Sequence, residues 1–234
     1  MRFASFNVLA DDYIGYGDYS HVDPKLLIPG ARLGHIIRQI NSLQADVIGL
    51  QEADKNVTEA FAADENWQTL WVPKRGRDSD GCLTLIKSHV AIDDYKSFPY
   101  DDEFDHVFQI TQIGKVSVAN THIRYAPAHD SRHIGVSQTR QLLKALDDRR
   151  QAVILADCND RPGGPVKKLI YEAGFTNVGA ERPTAFVNKI PAAIDLLAVR
   201  GLSARWVPTN YNLSTIPNET CASDHIPLVA DVEV

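Results

Sequence analysis

Six short stretches of this chain set a carboxylate, amide or imidazole directly beside an apolar run: Phe-Asn7-Val, Leu-Gln-Glu52, Asn-Thr-His122, Ala-Asp157-Cys-Asn159, Ile-Asp195-Leu and Ser-Asp224-His225-Ile. A carboxylate buried without a partner costs several kcal/mol or gives up its charge, and a cation beside Glu52 would remove that penalty. Asp157 and Asn159 flank one residue, so on extended backbone both point to one side and could hold one metal or water together. Asp224-His225 joins an acid to the side chain that changes protonation near neutral pH. Asp195 lies within Ala-Ala-Ile-Asp-Leu-Leu-Ala-Val and needs a partner there. An imidazole is a good one, because the carboxylate would fix its tautomer and raise its pKa.

Taken singly, each has a plain structural reading. Glu52 could end a strand in solvent or cap a helix, and Asp-x-Asn before Pro162-Gly163-Gly164 could be an Asx turn. Ser223, Asp224 and Pro227 could form a surface turn, His122 could be a satisfied core histidine, and Asn7 a structural amide. Recurrence changes the balance. A hydrophobic sandwich gains nothing from placing polar groups at so many strand ends unless those ends converge on an active site.

The elements that must deliver these groups follow from periodicity. Arg2 to Leu9 alternates as a strand, and Asp11 to Pro29 reads as a long loop. Ala31 to Leu43 spaces Leu33, Ile36, Ile37, Ile40 and Leu43 as an amphipathic helix. Asp46 to Gln51 and Gln151 to Asp157 read as buried strands that carry Glu52 and Asp157 to their C-terminal edges. Strand-like runs fall around Thr69 to Val72, Cys82 to Ile86, His106 to Ile113 and Lys115 to Thr121, with antiparallel pairing expected about Gly114. Ser131 to Arg149 and Pro165 to Glu172 are expected helices, the second stopped by Gly174. Ala193 to Val199, Ala204 to Val207 and Ile226 to Val234 complete the strands. Strands outnumber helices in an order mixing crossovers with hairpins, which predicts two packed sheets with helices outside.

The 234 residues suit one compact domain spanning 1–234, and no repeat or linker divides them. A formal charge of −6 argues against a protein that coats duplex DNA, although a local basic groove or metal ions could still hold phosphates. Cys82, Cys158 and Cys221 form no CxxC pair, so neither a disulfide framework nor a cysteine zinc site is expected and a reducing compartment fits. No signal-peptide pattern or membrane-length apolar run occurs, which predicts a cytoplasmic protein acting without a membrane.

In order and context, Phe-Asn7-Val-Leu-Ala, Leu-Gln-Glu52, Asn-Thr-His122, Ala-Asp157-Cys-Asn159-Asp, Ile-Asp195-Leu-Leu and Ser-Asp224-His225 resemble the endonuclease/exonuclease/phosphatase superfamily, the DNase I-like metal-dependent phosphoesterases. The opening through Tyr13, with Asp23-Pro24, Arg32 and Ala45-Asp46-Val-Ile-Gly-Leu-Gln-Glu, looks most like the branch of nocturnin, the angel proteins and the deadenylases. The resemblance implies a four-layer αββα sandwich of two mainly antiparallel sheets, with the active site at one sheet edge. It makes Glu52 the principal Mg²⁺ or Mn²⁺ ligand, with Asn7 beside it and Asp224 in the metal shell, for one ion or two. Asp157 and Asn159 would position and deprotonate the attacking water or hold a second metal. His122 and His225 would stabilise the phosphoryl oxygens, and Asp195 would orient His225. Where the family usually has Gly-Asp-Phe-Asn, this chain has Ala156-Asp157-Cys158-Asn159, so the polar groups remain while the packing beneath them changes.

Arg124 and Tyr125 follow His122 and could contact a phosphate or stack on a base. Phe186, in Arg182-Pro-Thr-Ala-Phe, resembles the family's substrate-facing aromatic, with core packing as the alternative. Lys74-Arg75-Gly-Arg77 could engage phosphates, though such charge clusters are usually solvated. The leading expectation is a monomeric Mg²⁺-dependent phosphodiesterase or nuclease acting on RNA or single-stranded nucleic acid. The alternatives are a phosphatase for nucleic-acid ends or small phosphoesters, a DNA-repair nuclease, a lipid phosphodiesterase and a catalytically silent binding module.

Overall fold

The computed structural model describes residues 1–76, 79–127, 133–179 and 181–234. In chain order the first half forms β1 (Arg2–Asn7), α1 (Leu33–Ser42), β2 (Val47–Ala53), α2 (Lys55–Ala62), β3 (Trp67–Pro73), β4 (Gly81–Lys87), β5 (Asp94–Pro99), β6 (Val107–Ile113) and β7 (Val116–His122). The second half forms α3 (Ile134–Ala145), β8 (Gln151–Asp157), α4 (Pro165–Glu172), β9 (Thr176–Asn177), β10 (Ala185–Val187), β11 (Ile190–Ala192), β12 (Asp195–Arg200), β13 (Ala204–Val207) and β14 (Leu228–Val232). Among the described residues these strands make two six-stranded sheets, ordered β13-β14-β1-β2-β4-β3 and β5-β6-β7-β8-β12-β9, plus the small β10–β11 hairpin.

Alternation within the strands explains the layering. In β8, Val153 and Leu155 face the other sheet and pack with Phe3, Val47, Ile86 and Leu228. Ala152, Ile154 and Ala156 face outward, under Leu142 of α3 and Val166 and Ile170 of α4. In β1, Ala4 and Phe6 turn outward to Ile36 and Ile40 of α1 and to Val57 and Phe61 of α2. Both faces of each central strand are therefore buried, and the result is the expected αββα sandwich.

Within each sheet, one central pair is parallel: β1 with β2, and β7 with β8. A parallel pair needs a long crossover, which the segments containing α1 and α3 supply. Parallel pairing also brings two strand C-termini to one edge. Asn7 lies opposite Gln51, and His122 lies opposite Asp157. β12 runs antiparallel to β8, so its first residue, Asp195, pairs with the last residue of β8, Asp157. This pairing corrects the placement of Asp195 inside an apolar strand: it begins one.

Several boundaries differ from expectation. The helix foreseen over Ser131 to Arg149 runs from Ile134 to Ala145, with Ser131 outside the described residues. The loop Asp11 to Pro29 contains short 3-10 turns at Asp11–Tyr16 and Pro24–Leu27. α2 was not foreseen; its eight residues begin where Asp54 accepts a capping hydrogen bond from the Val57 amide at 2.9 Å. β5 also escaped notice, because its Asp-Tyr-Lys-Ser-Phe-Pro sequence is that of a mostly exposed edge strand.

The sheets approach closely at Gly49, two residues before Gln51. A Cβ built on Gly49 would lie 2.7 Å from Leu155 Cβ and 3.0 Å from the Asn120 side chain. Asn120 is fully buried and bridges the sheets, accepting from Gln51 Nε2 at 2.9 Å and donating to the Leu50 and Leu83 carbonyls. Gly49→Ala is therefore expected to overpack this seam and cost about 1–3 kcal/mol. At roughly 2–4 °C per kcal/mol for a chain of this size, calorimetry should show a drop of several degrees in Tm. An unchanged Tm would mean that the seam can open without loss.

Candidate active site

Three backbone irregularities aim the polar side chains. The register of β2 against β4 shifts between Leu50 and Ala53, and Glu52 takes φ +55°. Leu9, just after β1, has φ +58°, and Asn159, just after β8, has φ +47°. Left-handed backbone costs a non-glycine residue about 1–2 kcal/mol, and here it turns each chain sharply at the sheet edge.

Asn7 is held by the Leu9 amide, which donates to Asn7 Oδ1 at 2.9 Å. That contact settles the orientation of the carboxamide. Its Nδ2 then donates to Glu52 Oε1 at 3.0 Å and to Asp157 Oδ2 at 2.9 Å. Glu52 Oε2 accepts from the Ala10 amide at 3.1 Å, and Asp157 Oδ1 from the Asn159 amide at 2.9 Å. Burial pushes Glu52 up to about 7 despite Asn7 and Lys74, which pull it down. Burial and the neighbouring Asp195 carry Asp157 up to about 6.

The two histidines take opposite states. Burial works against charge on His225, but both carboxylate oxygens of Asp195 lie 2.9–3.0 Å from its Nδ1, and Asp224 and Asp157 add attraction. His225 is thus held well above its ordinary pKa, with Nε2 3.8 Å from Asp157 Oδ2 and 3.9 Å from Asp224 Oδ1. His122 is pushed well below its ordinary value by burial and by the nearby Lys74, His106 and His225. Asn159 Nδ2 donates to His122 Nε2 at 2.9 Å and to the Ile123 carbonyl at 3.1 Å. The proton of neutral His122 therefore sits on Nδ1, which faces Glu52 Oε1 at 3.9 Å and has no hydrogen-bond partner among the described residues.

Asp224 completes the group. Tyr19 donates to its Oδ2 at 2.9 Å, while its Oδ1 is buried without a hydrogen-bond partner among the described residues. That oxygen and the two carboxylates raised by burial make a hard-oxygen donor set that fits a divalent cation, while Asn7, expected beside Glu52 in the metal shell, turns its Nδ2 rather than its oxygen to them and orients them. One ligand atom each from Glu52, His122 and Asp157 lies within 4.8 Å of the others, and the same holds for Asp157, Asp195 and His225. A cleft of about 180 Å³ opens onto this cluster, bounded by Tyr13, Tyr16, Tyr19 and Asn188 among others.

The sequence profile of the endonuclease/exonuclease/phosphatase family matches residues 4–225. The chain belongs to that family. No curated protein matches its sequence. Among solved structures, ANGEL2, described as a 2′,3′-cyclic phosphatase, superposes with a TM-score of 0.85 at 18% identity, covering 99% of this chain and 94% of its own. The human nocturnin catalytic domain with bound sulfate gives 0.73 at 16% identity, covering 100% and 93%. Truncated Caenorhabditis elegans TDP2 gives 0.69 at 13%, covering 100% and 97%. The expected fold is thereby shown, and the neighbours include the angel and nocturnin chains of the expected branch.

The family's expected site residues separate into two groups in space. Asn7, Glu52, His122, Asp157, Asn159, Asp195, Asp224 and His225 form the cluster just described. Arg124 and Tyr125 instead line a neighbouring groove of about 300 Å³, where the Arg124 guanidinium lies 3.8 Å from the centroid of the Phe104 ring. Phe186 corrects the substrate-facing expectation. Its ring meets His21 edge-on at 5.5 Å and packs on the Ile216, Cys221 and Ile226 cluster, leaving Val187 and Asn188 on the cleft. Lys74 is also unlike the solvated cation expected: it is buried, 2.6 Å from Asp80 and 2.8 Å from the Tyr13 hydroxyl. Arg77 lies outside the described residues. Tyr13 and Tyr19 were missed as site residues, although the density of tyrosines between Asp11 and Tyr19 was the available signal.

The raised carboxylates make stability depend on pH and cation together. From their ordinary values near 4, Glu52 and Asp157 ionise in the unfolded chain first, and in the folded chain only near 7 and 6. Without a cation, their contribution to stability is therefore lost as pH rises between about 4 and 7. Adding Mg²⁺ or Mn²⁺ should raise Tm more near pH 8 than near pH 5, by about 5–10 °C at a hundredfold excess over Kd. Glu52→Gln should abolish most of that rise in the same thermal scans, and an equal rise at both pH values would refute the arrangement.

Proposed function

We propose that this phosphoric ester hydrolase is a Mg²⁺- or Mn²⁺-dependent phosphodiesterase acting on RNA or single-stranded nucleic acid, its residues 1–234 working as one monomeric domain in the cytoplasm. The observation that carries the reading is the convergence of both imidazoles on Asp157, at 3.6 Å from His122 and 3.8 Å from His225, where Asp157, Glu52, Asp224 and His225 line one cleft. Glu52 and Asp224 would hold the cation, with Asn7 orienting Glu52 through its Nδ2, and the cation when bound neutralises charge on a phosphoryl group. Asp157, ionised at neutral pH, accepts the proton of an attacking water, and Asn159 keeps the water and His122 aligned. His225, charged and fixed by Asp195, donates from Nε2 to a phosphoryl oxygen. Neutral His122 offers a second donor through its unengaged Nδ1–H. Burial of these groups strengthens each interaction and needs no reorganisation during the reaction.

A second reading has specific support. The fold of ANGEL2, described as a 2′,3′-cyclic phosphatase, covers nearly all of this chain. Hydrolysis of a cyclic phosphate at an RNA end would use the same water, cation and donors.

Mg²⁺-dependent hydrolysis of bis-p-nitrophenyl phosphate tests the site directly. Glu52→Ala and His225→Ala should each lower kcat by about 10²–10⁴-fold. Asp195→Asn should lower kcat more than it changes KM and shift the basic limb of the pH profile downward. Full activity in these variants would sink the assignment. A panel of single-stranded RNA, single-stranded DNA, duplex DNA, 2′,3′-cyclic and phosphorylated ends and sphingomyelin, with product termini identified, decides the substrate.

A further inference from the structure

The cleft is crossed on one side by two loops that come from opposite sheets. The Asp11–Tyr16 turn and the residues after it follow β1 of the first sheet, while the β10–β11 hairpin precedes β12 of the second. The hairpin base is fixed to the catalytic loop, because Phe186 donates its backbone N–H to the Asp224 carbonyl at 2.7 Å and Ile226 donates to the Thr184 carbonyl at 2.7 Å. Its tip reaches the opposite loop. There the Asp18 amide donates to Asn188 Oδ1 at 3.1 Å, Lys189 Nζ lies 3.0 Å from Asp18 Oδ2, and Lys189 also donates to Ser20 Oγ at 2.7 Å. Asn188 and Lys189 hold φ +49° and +62°, a tight tip that presents both side chains toward Asp18. Gly17 and Asn188, one on each loop, both bound the cleft.

We propose that Asp18, Asn188 and Lys189 form a latch that determines specificity by closing this side of the cleft, so that a terminal phosphoester enters and an internal one in a continuous strand does not. The proposal rests on the phosphoester-hydrolase reading above. A strand running through the cleft toward that side meets the Asp18–Lys189 contact, whereas a chain end stops short of it. The latch is built from half-exposed side chains, so it is adjustable: an exposed ion pair is weak and screened by salt.

The test compares initial rates, in Mg²⁺ and in Mn²⁺, on a linear oligoribonucleotide and on the same sequence ligated into a circle, with bis-p-nitrophenyl phosphate as the small reference substrate. The wild-type protein should hydrolyse the linear form and spare the circle. Asp18→Lys and Lys189→Asp, which each set like charges against one another, should raise the circle-to-linear rate ratio about two- to fivefold, the scale of an exposed ion pair. Neither should alter the rate on the small substrate. The Asp18→Lys/Lys189→Asp double variant should restore the original ratio, which a merely structural role would not produce. Circle and linear rates that are equal in the wild type, or a ratio that the single variants leave unchanged, would overturn the latch. So would hydrolysis of the small substrate alone with no gain on either oligonucleotide in the single variants. Inactivity on every substrate would instead count against the hydrolase reading, and fluorescence anisotropy then reads the latch independently: equal affinity of the wild type for circle and linear form would overturn it.

Discussion

Two acidic side chains from different sheets are brought together under one amide. Asn7 Nδ2 gives one hydrogen to Glu52, from its own sheet, and the other to Asp157, 150 residues further along the chain and in the opposite sheet. Two buried carboxylates this close repel when both ionise, and each is also disfavoured by its loss of water. A donor shared between them lowers that cost without adding a charge. The same residue accepts from Ser223 Oγ through its backbone carbonyl at 2.7 Å, which seats the loop carrying Asp224 and His225. Asn7 is therefore the junction at which β1, β2, β8 and the loop carrying Asp224 and His225 are set relative to one another.

Two buried cations support that junction from behind. The Arg32 guanidinium, 1% exposed, donates to the carbonyls of Val8, Leu9 and Ala222 and pairs with Asp11. It thus ties the turn after β1 to the loop before His225, and five fixed donors make arginine suited to a place where several carbonyls converge. Lys74 sits on the other flank with Asp80 and Tyr13. Its charge draws Glu52 toward ionisation and keeps His122 neutral. Burial disfavours charge on both histidines; at His225 three aspartates override it, whereas at His122 Lys74 and the neighbouring imidazoles add to it.

Periodicity was enough to place the central strands, because a buried strand with a polar last residue leaves a local mark in the sequence. The residues of the cluster were readable for the same reason, and family resemblance joined them. What the sequence did not carry was register. Asp195 looks like an interior strand residue until β12 is paired with β8, and only that pairing puts it across from Asp157 and within reach of His225. Phe186 was misread because its strand alternation depends on a three-residue hairpin held by the Asp224 carbonyl, a contact between segments almost forty residues apart. Lys74 was misread because its burial depends on Tyr13, 61 residues away, as well as on the nearby Asp80, and an Asp six residues from a Lys does not by itself mark a buried pair. β5 and α2 are short and half-polar, and tertiary packing decides their structure more than pattern does.

The formal charge of −6 and the anionic substrate class are reconciled at the scale of the cleft. Whole-protein charge sets long-range steering, and salt screens it within about 10 Å. Inside the cleft, distances of 3–4 Å separate His225 from Asp157, Asp195 and Asp224, so local groups dominate. Four carboxylates there exceed the one imidazolium and would repel a phosphate. A divalent cation offsets most of that excess, and when none is bound the protonation of Glu52, whose pKa burial raises, offsets a smaller part of it. On the proposed reading, attraction for a phosphoester would depend on the cation, and the net charge of −6 gives no long-range pull on the rest of a polyanion.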